Sequence, residues 1–514
     1  MSFLPLIALA PLLLLAATCP FLVHPGRRPG RLPQLAEAAA LSTLALGVAG
    51  LLQLWLVGPL ELTLAGVALV RLDAISGTLA LLVSFVGWVV ARYSRRYLDG
   101  EAREGRFHAL TLAAIAAVLI LVQAASLPVL VLAFVATGLV LRQLLLFYPE
   151  RPEARRAAAK FIRVWGAGDV ALVLASVLLW HSLGTVEIAA LTATTALPGL
   201  AQVAVALMVL AAALKTAAFP VHGWLTEVME APTPVSALLH AGIINSGGVL
   251  LITLSGLVQH SAGAMAALVM IGGFTAIFGA LVMLTQSAVK TALAWSTVAQ
   301  MGFMLLQCGL GLWALALLHI VAHSLYKAHA FLSSGGAVRA VNAVRKPGPV
   351  AVPGLWAVGR SFALALVLYV AVAAGFTAVL GEKSAQALAL GTILIFGVSY
   401  LIAQGLADAA PGALTRRTVA ASLGAALAYF TFQVVAQAMW GPALPAVPDA
   451  GPLEWALIVL AVLSFGLVAF AQALFPLWAH HPSTVGLRVH LANGLYLNAL
   501  LDRMIGGFRT ATKS

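Results

Sequence analysis

Three titratable side chains recur at a spacing of four and four: His319, His323 and Lys327. Residues i and i+4 are neighbours on one helix face, and at 1.5 Å per residue the row extends about 12 Å along the axis. A structural polar contact between helices needs one such group. Three in apolar surroundings suit a proton relay. His319 and His323 also have the spacing of a helical metal pair, but no third ligand accompanies them, so no metal site is expected; His329 lies off this face. A second set sits between Ala213 and Gly248, where an apolar stretch holds Lys215, His222, Glu227, Glu230 and His240 among Pro220, Pro232 and Pro234. An ionisable residue in hydrocarbon is costly and normally faces a bundle interior or a wet cavity. Proline breaks a helix there, and the freed backbone groups survive only where protein or water satisfies them. A desolvated lysine can exchange a proton, and a histidine that titrates near neutrality can pass one on. The expected proton-path residues are Lys215, His240, His319, His323 and Lys327, joined by Glu230 and by Asp169 as a member of the polar axis; Pro220, Pro232 and Pro234 are the expected helix breaks. Glu227 could tune Lys215 or line a water-side mouth, and Asp73 reads as an interfacial cap.

The elements that must position these groups are membrane helices. The 514 residues are 62% hydrophobic and 9% charged, against about 25% charged in soluble domains. The expected fold is all-α, a polytopic membrane protein of about 15 transmembrane helices (roughly 13–16), since runs of about 20 apolar residues recur from 3–23 to 454–476. A broken helix is expected near 215–225. The expected divisions are N-terminal helices 1–106, helix bundles 107–260 and 261–440, a C-terminal span 441–479, and a tail 480–514 with an amphipathic helix on the cytoplasmic face. The stretch 184–198 is too short to span. The net charge of +12 does not point to nucleic acid, because the basic residues cluster in alternate short loops: Arg27, Arg28 and Arg31; Arg95, Arg96 and Arg103; Arg151, Arg155 and Arg156; Arg339, Arg345 and Lys346; Arg416 and Arg417. That alternation is the positive-inside pattern and places the N-terminus outside and the C-terminus in the cytoplasm. Cys19 and Cys308 form no disulfide framework. Residues 1–23 lack a basic leading region and read as a first span rather than a signal peptide. Nucleotide-binding loops, zinc motifs and nucleophile elbows are absent, so no catalytic residue is expected.

The run Lys215–Phe219–Pro220–His222–Trp224–Leu225, continued by Glu230–Ala231–Pro232–Thr233–Pro234–Val235–Ser236 and His240–Ala241, resembles the antiporter-like subunits of respiratory complex I and of Mrp cation/proton antiporters. So do Arg71–Leu72–Asp73, the stretch Lys290–Thr291–Ala292–Leu293–Ala294–Trp295–Ser296–Thr297, and the line His319–His323–Lys327 followed by Phe331 and Gly335. The similarity runs from about Leu72 to Arg339. One departure is sharp: those subunits carry a fifth-span glutamate partnering the lysine at 215, where this chain has Val135 and Ala136. The turn Phe147–Tyr148–Pro149–Glu150–Arg151–Pro152 and the run His240–Ala241–Gly242–Ile243–Ile244–Asn245 look like the membrane subunit (DabB) of inorganic-carbon accumulation complexes.

The resemblance implies a cation-conducting subunit of a bacterial inner membrane, with the proton as the first choice of ion and Na+ the second. It implies a large cytoplasmic partner similar to a zinc-dependent β-carbonic anhydrase (DabA-like), with the zinc in that partner and no cofactor in this chain. Membrane lipids are the other expected partners. The alternative it carries is a proton-pumping subunit of a complex I-like or Mrp-type assembly.

Overall fold

The structure is a computed structural model that describes residues 4–336, 354–405, 412–474, 478 and 481–504. The basic loop with Arg339, Arg345 and Lys346, and the tail beyond Met504, lie outside the described residues. Two helices, α1 (Leu9–Val23) and α2 (Leu32–Val57), lead to a short antiparallel hairpin of β1 (Leu60–Leu64) and β2 (Val67–Leu72). The all-α expectation missed this hairpin. Its β-branched residues are few, and Ala65 and Gly66 supply the positive φ that the tight turn needs. Asp73 is the expected cap: its carboxylate accepts from the Ile75 and Ser76 amides (2.9 and 2.7 Å), and Ser76 Oγ accepts in return from the Asp73 amide.

The body follows as α3 (Ala74–Tyr97), α4 (Glu104–Gln123), α5 (Leu127–Leu145), α6 (Pro152–Leu183), α7 (Gly199–Lys215), α8 (Thr233–Ala241) and α9 (Ser246–Thr253). Then come α10 (Ala262–Met283), α11 (Val289–Gly309), α12 (Trp313–Ser333), α13 (Leu355–Leu380), α14 (Ala385–Gly405), α15 (Gly412–Trp440) and α16 (Pro452–Ala473). Among the described residues, 12 helical segments are long and apolar enough to cross a membrane, and two shorter apolar helices accompany them, 199–215 and 385–399. Each apolar run read from the sequence is helical, and among the described residues length and composition single out twelve of them as crossings. The segment 184–198 contains only the one-turn helix Ile188–Thr192.

The region that carries the titratable residues is also the most enclosed. The span Thr233–Thr253 is 94% buried, whereas Leu355–Leu380 and Pro452–Ala473 are 17% buried and show their apolar sides outward. Helices α10 and α11 approach closely through glycines: a Cβ on Gly272 would sit 2.4 Å from the Leu306 amide nitrogen, and one on Gly302 2.4 Å from that of Ala276. Small residues of this kind let membrane helices pack backbone to backbone. After α16 the chain forms two short helices, α17 (Val485–Ala492) and α18 (Leu497–Met504), kinked at Leu495 and Tyr496, both with positive φ. The described part of the tail, as far as Met504, therefore holds two helices rather than one.

Candidate proton path

The break is built from local sequence. Helix α7 ends at Lys215, and Ala217 adopts a left-handed conformation (φ 53°), uncommon for a residue with a Cβ and the kind of backbone strain found at functional sites. Pro220 lies in the irregular stretch that follows. Pro232 and Pro234 do not interrupt a helix: they are the N-cap and an early residue of α8, where a missing N–H costs nothing. The next interruption is at Gly242, one residue past α8 (φ −120°, ψ −79°), and the chain resumes as α9 after a single turn at Ile243–Asn245. A Cβ on Gly242 would meet the Leu238 carbonyl oxygen at 2.8 Å. Sequence reasoning placed the discontinuity at the prolines and missed this glycine.

The first break holds Lys215 at its edge, fully buried. Its Nζ lies 2.5 Å from Asp169 Oδ1 on α6. The ammonium also sits over two aromatic rings, 4.1 Å from the centroid of Trp165 and 4.6 Å from that of Phe134. Phe134 precedes Val135 and Ala136, the positions where the resemblance leads one to expect a glutamate. Asp169 and the two ring faces therefore provide the negative potential that the lysine needs. Trp165 is held in place because its Nε1 donates to the Phe134 carbonyl (3.2 Å) and its ring lies over Gly138, where a Cβ would come within 2.4 Å.

The second break leads into the histidine–lysine line. His240 is fully buried, stacked on Phe331 (4.3 Å between centroids), with Nδ1 3.1 Å from Thr297 Oγ1. Thr297 donates to the Leu293 carbonyl (3.0 Å), and Lys327 Nζ donates to the same oxygen (2.9 Å). His240 and Lys327 thus meet on α11 through one hydroxyl and one carbonyl. The Leu293–Thr297 pair was singled out in the sequence as part of a signature but not as a link in the path. On α12, the His319 and His323 rings lie 5.9 Å apart, and His319 Nδ1 is 2.9 Å from Gln307 Oε1. His319 Nε2, both ring nitrogens of His323 and His240 Nε2 are buried without a hydrogen-bond partner. His319 and His323 line a mostly apolar cavity of about 720 Å³ between α12 and the helices α13–α15. Beside the second break, Asn245 donates to Ser324 Oγ (3.0 Å), and a cavity of about 30 Å³ adjoins Asn245, Ser246 and Ser324. That volume is enough for a water molecule.

Glu230 lies apart from these groups: it is 43% exposed and pairs with Arg151 at 3.0 Å. Glu227 pairs with Lys160 at 2.6 Å. Among the described residues no group of three or more His, Cys, Asp or Glu is arranged to hold a metal ion, and no direct side-chain hydrogen bond joins Lys215–Asp169 to the His240 cluster.

A buried lysine with its acid at a helix end, and a row of imidazoles ending in a second buried lysine, are groups that a cation-translocating membrane subunit can use. The comparisons agree. Residues 124–406 match the family described as NADH:quinone oxidoreductase/Mrp antiporter, transmembrane, and residues 67–108 match the complex I chain 5 N-terminus. The chain belongs to this family and is a multi-pass integral membrane protein.

Within the family it is similar to subunits named for inorganic-carbon transport. It is 38% identical over 455 residues to the probable inorganic carbon transporter subunit DabB2 of Halothiobacillus neapolitanus, covering 85% of this chain and 79% of that one. It is 45% identical over 265 residues to the probable inorganic carbon transporter subunit DabB of Hydrogenovibrio crunogenus, covering 50% and 51%. In fold it is similar to a chain of the Mrp complex from Dietzia sp., with a TM-score of 0.65, 98% of this chain and 60% of that chain covered, and 23% identity.

Proposed function

We propose that this chain conducts protons, with Na+ as the second choice, and that the flow energises inorganic-carbon accumulation by a soluble partner. The observation that carries the proposal is the pair of buried lysines, Lys215 on Asp169 at the end of α7 and Lys327 within α12 on the Leu293 carbonyl, with the unpartnered His240, His319 and His323 nitrogens set near the latter. Protons would enter from the outside along His319, His323 and Lys327, cross to His240 and the Lys215–Asp169 pair, and leave to the cytoplasm. At a potential of about 100 mV each charge moved inward releases about 2.3 kcal/mol. The names of the relatives support inorganic carbon as the cargo. The chain would supply conduction alone and hold no cofactor. Its partner would be a large cytoplasmic zinc-dependent subunit similar to a β-carbonic anhydrase, hydrating CO2 to bicarbonate. The protein would lie in a bacterial inner membrane with its C-terminus in the cytoplasm.

The second reading, a proton pump driven by a redox enzyme, is favoured by one observation: Lys215 keeps a carboxylate partner, Asp169. Partner analysis separates the two. The tagged chain would be isolated in mild detergent from its own membrane, and its stoichiometric partners identified by mass spectrometry with metal analysis. One large zinc-bearing soluble subunit is the expected result. Iron–sulfur or flavin subunits would replace inorganic carbon with electron transfer as the coupled process.

A further inference from the structure

A second buried lysine–carboxylate site lies outside the path just described. Lys160, on α6 nine residues before Asp169, is 2% exposed. Its Nζ lies 2.6 Å from Glu227 Oε1 and 2.5 Å from Asp502 Oδ1. Two carboxylates against one ammonium leave the cluster with one net negative charge. The carboxylates reach water, with Glu227 and Asp502 side chains 31% and 24% exposed, while the lysine between them does not. On the inner side, Phe161, Trp165 and Trp224 pack with centroids 5.3 to 6.2 Å apart, and the Lys215 ammonium lies over the same Trp165.

Asp502 belongs to the C-terminal segment, which runs beneath the first helix break. Asn498 donates to Thr226 Oγ1 (3.3 Å), the Ala492 carbonyl accepts from Gln286 (3.3 Å), and Gly494 lies against Trp295. The fit leaves no slack: a Cβ on Gly223 would fall 1.4 Å from Asn498 Oδ1. Two further titratable or charged groups face the cluster. Arg156 of α6 is engaged by Glu153 at 3.3 Å, and His222 of the break is packed against Trp295 and Phe278.

We infer that Lys160, Glu227 and Asp502 form a proton-exchange port at the water end of the Lys215 site, where protons pass between the path and the cytoplasm, and that the C-terminal segment is a working part of the path because it supplies Asp502. The inference rests on the proton-path reading above. With all three groups ionised the cluster is one proton short of neutrality. A hydronium ion gives its proton to one carboxylate and leaves as water; the carboxylic acid later returns that proton to water, and the carboxylate is restored. Lys160 stays charged throughout and holds the two acids together. Burial holds the Glu227 carboxyl above the ordinary carboxylate range, against the opposing pull of Lys160, which favours loading. Removing either acid leaves a neutral pair, in which the remaining carboxylate takes a proton less readily because the charge that favoured it is gone.

The test reconstitutes the purified full chain, with the subunits that copurify, into liposomes. Potential-driven proton uptake is followed with a pH-sensitive dye from acid to alkaline pH. Asp502→Asn and Glu227→Gln are each expected to slow uptake by roughly a hundredfold, the low end for loss of an acid–base group, and to flatten its pH dependence; Asp502→Glu restores both. A purely structural role would lower the yield of folded protein without reshaping the pH profile. Infrared difference spectra on acidification, expected to show a protonated-carboxyl band lost in Glu227→Gln and in Asp502→Asn, read loading without reference to transport. Wild-type uptake and pH profile in Asp502→Asn beside an inactive Lys215→Ala would overturn the port and leave the main path standing. Uptake in Lys215→Ala at the wild-type rate would instead overturn the main path, and absence of the infrared band would overturn the port by itself.

Discussion

Lys215 shows what a charged side chain needs in order to persist in a membrane interior. Its ammonium has one carboxylate, Asp169, and two ring faces, Phe134 and Trp165. Removing one partner of a buried pair costs about 3–5 kcal/mol, because the survivor is left as an uncompensated charge. Asp169→Asn is therefore expected to lower the thermal midpoint of the detergent-solubilised protein clearly, and to stop proton uptake even at temperatures where the protein remains folded. An unchanged midpoint would mean that the rings and trapped water suffice. The lysines and histidines themselves were legible in the sequence, since a titratable residue in an apolar run is rare enough to stand out. The role of Thr297 was not. Spacing along one helix says which residues share a face, but it cannot say that α8, α11 and α12 meet at the Leu293 carbonyl. Glu230 failed for the related reason that a carboxylate near a break reads the same whether it faces Lys215 or, as here, Arg151 on the surface.

At the scale of elements, the broken helix was visible because proline and lysine coincide near 215–220, and the position of the break follows. The prolines at 232 and 234 misled, since proline marks a helix start as readily as a helix stop. Gly242 carries no such flag in an isolated sequence: its distinction is a local backbone conformation (φ −120°, ψ −79°) in which a Cβ would press on the Leu238 carbonyl one turn earlier. The hairpin at 60–72 escaped because its short strands lack the β-branched composition that signals sheet. Close packing between elements gives a separate test. Gly302→Val would drive a side chain into the backbone of α10 at Ala276 and is expected to destabilise the protein by about 1–3 kcal/mol, the usual range for overpacking. Gly375→Val, with nothing within 4 Å, is the matched control expected to have little effect in the same thermal unfolding assay.

Across the whole molecule, burial is concentrated where chemistry is expected. The span Thr233–Thr253 is enclosed on nearly every side, while the helices at both ends of the chain present apolar faces outward. Such an arrangement keeps the titratable line away from lipid and leaves small cavities and unpartnered imidazole nitrogens along it. Composition alone identified a membrane protein but left the number of crossings open: an apolar run of about 20 residues is necessary for a span, and among the described residues the apolar helices 199–215 and 385–399 are shorter than that. Conduction through this line is the central claim, and potential-driven proton uptake into liposomes containing the purified full chain and its copurifying subunits tests it most directly. The expected result is rapid uptake by the native protein and a loss of at least roughly a hundredfold, the scale of removing a proton-transfer group, in both Lys215→Ala and Lys327→Ala preparations that remain assembled. Uptake at the native rate in either variant would contradict the account.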